Sequence, residues 1–185
     1  MLAKLRVLGS ALTAALPTGI LFGILLRLNM RIIALARPEM ASGFHWSSTL
    51  MIIMVGTGMT LASAIVYAII GSRLPVRQVR RAAAYGAVNL LLFGAPFLLS
   101  NPSGELFGSQ AAFGVPLFAA GFFLQGMAIA AFAGKVERWA NSRQSGRFRL
   151  LQAAGIVLAI PALVMLGAIV YEYYTEMLPA LRQLW

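Results

Sequence analysis

Cysteine and aspartate are both missing from the 185 residues, and histidine occurs once. The first absence excludes disulfides, thiolate metal sites and cysteine nucleophiles. The second leaves five glutamates, at positions 39, 105, 137, 172 and 176, as the only side-chain carboxylates. Charge is scarce altogether: 11% of residues carry one, against roughly 25% in a soluble domain. There is no carboxylate pair, no Ser-His-Asp set and no phosphate-binding loop, so catalysis has little to work with.

What the chain has instead is apolar length. From Trp46 to Ser72 there are 27 residues without a charged side chain. At ~1.5 Å per helical residue, such a run exceeds the ~30 Å of a bilayer's hydrocarbon core. Four further runs share this character, and together they predict spans at about 7–26, 48–71, 82–99, 111–134 and 150–171. The expected fold is all-α: a polytopic integral membrane protein, with residues 1–185 as one membrane domain of five transmembrane helices. Residues 27–44 either prolong the first helix, ending by Pro38, or lie along the interface as an amphipathic segment. The tail 172–185 is expected to rest on the outer interface rather than to cross. Lys4, Arg6 and the small residues of ALTAAL also fit a secretory signal, but the apolar stretch continues through Pro17 to Leu26, which favours an uncleaved span.

The stretch RIIALARPEM, residues 31–40, resembles the same place in haem-copper oxidase large subunits. The haem-ligating histidine of that family lies in its second span. Here His45 precedes the span, so no site carries over.

The net charge of +10 is distributed at the ends of the apolar runs rather than on a folded basic face, which argues against nucleic acid as a partner. With the N-terminus in the cytoplasm, the inner segments hold Lys4 and Arg6, then Arg73, Arg77, Arg80 and Arg81, then Lys135, Arg138, Arg143, Arg147 and Arg149. The outer segments hold only Arg27, Arg31, Arg37 and Arg182. Arginine and lysine concentrate on cytoplasmic loops, so the chain is expected to start inside and finish outside. Aromatic residues near predicted span ends, among them Trp46, Tyr67, Tyr85 and Trp139, read as an interfacial belt.

Small residues recur at four-residue spacing: Ala15, Gly19 and Gly23, then Gly58 with Ala62, Ala130 with Gly134, and Gly155 with Ala159. Such faces let helix backbones approach closely where lipid supplies no hydrophobic drive, within this bundle or against another chain. Pro17, Pro96, Pro116 and Pro161 lie inside spans, and each removes a backbone donor. Asn89 and Gln125 are the strongest polar side chains deep in spans. Counted from Arg81 and Lys135, both lie some 12–15 Å from the cytoplasmic side, so neighbouring antiparallel helices can pair them. His45 is the one candidate cofactor ligand, and it has no second imidazole to complete a bis-histidine or metal set. Met51, Met54 and Met59 suggest soft-metal chemistry, but methionine is also ordinary filling for irregular packing, and no metal site is expected. His45 alone can ligate a pigment or haem from one side only, and the sequence leaves the cofactor unknown. All five glutamates fall at or beyond span ends, which weakens proton-coupled transport through the chain alone.

The expected function is a non-enzymatic integral subunit or accessory protein of a cell membrane, of the bacterial inner-membrane kind, packing against lipid and other membrane chains or copies of itself. The alternative is a small oligomeric transporter or channel that uses its proline-kinked helices. A lipid-modifying enzyme ranks last.

Overall fold

A computed structural model describes residues 2–36, 45–99, 111–141 and 145–179. Among these residues there is no strand, and five helices are long and apolar enough to cross a membrane. Helix α1 runs Leu2–Ala36, α2 Trp46–Ile70, α3 Gln78–Leu99, α4 Ala111–Asn141 and α5 Ser145–Glu172. This suggests a multi-pass membrane protein.

The helix boundaries follow from local chemistry. Helix α1 is described as far as Ala36. Residues 27–36 continue α1 without a break. Residues 37–44, the rest of the segment expected at an interface, lie outside the described residues. Helix α2 starts after an extended His45, whose carbonyl accepts both the Thr49 N–H and the Thr49 hydroxyl. It ends in a 3₁₀ turn at Gly71–Arg73, followed by an extended Leu74 ahead of Pro75. In α3, the residues Leu90–Gly94 form a π-turn, with the Ala95 N–H reaching back to the Leu90 carbonyl. Pro96 supplies no donor in the next turn, and widened turns of this kind relieve such a gap.

The helices alternate in direction. Gly19 faces Thr57 and Gly23 faces Ile53, so α1 and α2 are antiparallel. Asn29 donates to the Leu117 carbonyl at 3.1 Å while Phe22 stacks edge-on against Phe122, so α4 also opposes α1. Gln78 reaches the Ala130 carbonyl and Asn89 the Phe122 carbonyl, which sets α3 against α4. Gly9 meets Gly155 while Gly58 meets Met165, so α5 runs parallel to α1 and opposite to α2. This alternation gathers the start of α1, the α2–α3 turn, the end of α4 and the start of α5 at one end of the bundle. Arg73, Arg77, Arg80, Lys135 and Arg138 are exposed there.

Helix α1 is central, packed on α2, α4 and α5, whereas α3 leans on α4. Glycine permits the closest crossings. A Cβ at Gly23 would lie 2.5 Å from the Ile53 Cα, and one at Gly126 would lie 2.9 Å from the Gly86 Cα. No side chain fits at either point, so the backbones touch and gain dispersion contacts directly.

Candidate functional site

Most side chains at the centre of the bundle are apolar or small, and one connected group of polar ones interrupts them, apart from Ser10, Thr18 and Asn29 on α1. Thr60 and Ser63 come from α2, Tyr85 and Asn89 from α3, and Gln125 from α4. None is more than 3% exposed. A polar group buried without a partner costs a few kcal/mol, so such residues must satisfy one another.

They do so in a directed chain. The Thr60 hydroxyl donates to the Gly56 carbonyl at 2.6 Å, which leaves its oxygen to accept from Gln125 Nε2 at 2.6 Å. Gln125 Oε1 accepts from Asn89 Nδ2 at 3.0 Å, and the same amide nitrogen donates to the Phe122 carbonyl at 2.6 Å. Asn89 Oδ1 accepts from the Ser63 hydroxyl. The Tyr85 hydroxyl donates to the Ser63 carbonyl and lies 2.8 Å from Ser63 Oγ. Both amide orientations follow from this geometry, because Thr60 and Asn89 have no other hydrogen to give. The chain joins three helices at mid-height. The ring of Tyr85 packs edge-on against Tyr67 at 4.9 Å between centroids, which holds its hydroxyl at the seam.

The structure brings Asn89 and Gln125 together and adds three partners that sequence reasoning did not single out. It also places Asn29, only 3% exposed, between α1 and α4. Two expectations need correction. Tyr67 and Tyr85 are 4% and 0% exposed and belong to the core, so they are not part of an interfacial belt. Their rings pack on each other, and the Tyr85 hydroxyl finds its partners inside the bundle, which is the alternative use of an amphipathic aromatic.

The small-residue positions are occupied as follows. Ala15 and Ala62 are fully buried, and Gly19 and Gly23 meet α2. A Cβ at Gly58 would lie 3.3 Å from the Met165 side chain, and one at Gly155 would lie 3.0 Å from the Gly9 Cα of α1. Ala159 packs against the main core cluster, as Ala130 does from within it. All of these contacts are within the chain. Gly9 and Gly86 also stand at close crossings outside those repeats, and Gly126 extends the Ala130–Gly134 spacing by one step.

His45 stands exposed at the entrance to α2, and its side chain makes no cap bond. Met51 and Met54 are 67% and 73% exposed, whereas Met59 is buried, so the three do not converge on one point. Among the described residues, no three His, Cys, Asp or Glu side chains gather. Searches of family models, curated proteins and solved structures find no match to the chain.

Proposed function

We propose that the chain is a non-enzymatic integral membrane subunit. All five helices cross the bilayer with the basic end in the cytoplasm, and the apolar flanks bind lipid and neighbouring membrane chains. The observation that carries this reading is the use made of the mid-height polar side chains. Thr60, Ser63, Tyr85, Asn89 and Gln125 spend their hydrogen bonds tying α2, α3 and α4 together. A bundle interlocked in this way presents a rigid apolar exterior. On α5, Ile156, Val157, Ile160, Leu163 and Val164 are each at least 58% exposed, as suits a helix that faces lipid or another chain. The basic residues collected at one end support the orientation, since arginine and lysine favour the cytoplasmic side.

A second reading, a small oligomeric transporter or channel, is favoured by the prolines inside α1, α4 and α5 and by the π-turn in α3. Interrupted helices of this kind build substrate sites in transporters. Purification of the tagged full-length chain in mild detergent, followed by native mass analysis, separates the two. The subunit reading expects other membrane chains bound in fixed ratio. A homo-oligomer that passes solute across liposomes would replace it with the transporter reading.

A further inference from the structure

On the outer flank between α1 and α4 lies a recess of about 130 Å³. Thr18, Leu21 and Phe22 form one side of it, and Leu124, Gln125 and Ala128 the other. Leu21 and Leu124, at 58% and 52% exposure, stand at its mouth, while Thr18 and Gln125 are each only 3% exposed. The recess is therefore walled by hydrocarbon and polar at its floor.

The floor has a definite hydrogen-bonding character. An amide carries two N–H donors. Gln125 gives one to Thr60, and among the described residues the second has no acceptor. The orientation of that amide is set by its neighbours, so its nitrogen cannot exchange places with its oxygen. Thr18 directs its hydrogen to the Ala14 carbonyl at 2.8 Å. The Thr18 oxygen can still accept, so what is unmet at the floor is the second Gln125 N–H, and a ligand that supplied it with an acceptor would remove the cost of a buried unpaired donor.

Depth restricts the source of that acceptor. Gln125 lies midway along the apolar stretch Ala111–Trp139, 14 residues from each end. The ester carbonyls of phospholipids lie at the margins of the hydrocarbon core, ~15 Å from its centre. An acceptor at this height must arrive on a molecule that itself dissolves in the hydrocarbon. Size restricts it further, since a cavity of ~150 Å³ lined by apolar side chains holds a benzene ring.

We infer that this recess binds a lipophile whose flat ring carries a carbonyl, of the quinone class. The ring edge enters between Leu21 and Leu124, and its oxygen accepts the second N–H of Gln125. The inference rests on α4 crossing a bilayer, which impermeant labelling tests independently.

The test uses the full-length chain in nanodiscs of zwitterionic lipid and two probes, decyl-1,4-benzoquinone and decylbenzene. Equilibrium dialysis against empty nanodiscs reads the specific component. The quinone is expected to bind saturably, one per chain, about tenfold tighter than decylbenzene, the factor that one hydrogen bond supplies. Ala128→Leu fills the recess without touching the hydrogen-bonded seam and is expected to abolish the specific binding. Gln125→Leu, if it folds, is expected to bring the quinone down to the level of decylbenzene. Equal binding of the two probes to the native chain, or quinone binding unchanged by Ala128→Leu, would overturn the inference.

Discussion

Helices α3 and α5 run in the same direction, from the basic end of the bundle to the other, and differ in almost everything else. The core stretch of α5 is the most apolar of the five, yet only 11% of it is buried. That of α3 is the least apolar and 39% buried. Helix α3 is held by Tyr85 and Asn89, by the Gly86–Gly126 crossing and by the packing of Phe93 and Phe97 on α4. Helix α5 touches the rest through Gly155, Ala162 and Met165. Between these two helices, apolar character does not decide which is interior. Small residues that admit backbones and polar ones that need partners decide which helix is interior.

The sharpest way to break this comparison is to place a large side chain at a crossing. A Cβ at Gly126 would lie 2.6 Å from the Asn89 Cβ and 3.0 Å from the Tyr85 carbonyl, so Gly126→Leu is expected to cost about 3 kcal/mol or more. Thermal melting in detergent should show loss of the folded state. The matched change on α5, Gly167→Leu, meets nothing within 4 Å and should leave the melting temperature unchanged. A large effect at Gly167 would place α5 in the interior with α3.

Removing the polar seam should cost less. Asn89→Leu leaves the Ser63 hydroxyl and Gln125 Oε1 without their partner, for an expected loss of about 2 kcal/mol. A double-mutant cycle of Asn89→Leu with Gln125→Leu isolates the contact between them, expected at about 0.6 kcal/mol. Tyr85→Phe deletes one hydroxyl and keeps the ring against Tyr67, so about 1 kcal/mol is expected. Among the positions in contact, the smallest effect belongs to Gly58→Ala. Its new methyl meets only the flexible Met165 side chain at 3.3 Å, and a change of less than about 0.5 kcal/mol follows.

How far these features can be read from the residues depends on what kind of information each needs. The five apolar helices are visible because hydrophobic length is a local property of the chain. Asn89 and Gln125 could be placed at one height because each is counted from a basic residue at the same end. Thr60 and Ser63 escaped notice because a hydroxyl inside a helix normally bonds its own preceding turn, as Thr60 does with Gly56. That Ser63 turns to Asn89 depends on the rotation of α2 against α3, which no single helix encodes. Tyr85 misled for a related reason: a tyrosine near a span end suits the interface and the core equally. Asn29 lay in a stretch read as either helix or interface, and only the continuation of α1 brings it opposite Leu117.

All of this depends on the bundle standing across a membrane with its basic end inside. The chain has no cysteine of its own, so single cysteines report cleanly. Val76, 90% exposed, marks the basic end, and Ser47, also exposed, marks the other. Val76→Cys in intact cells should resist a membrane-impermeant maleimide until the membrane is opened, whereas Ser47→Cys should react at once. Reaction of both from the same side, or in the reverse order, would contradict the account.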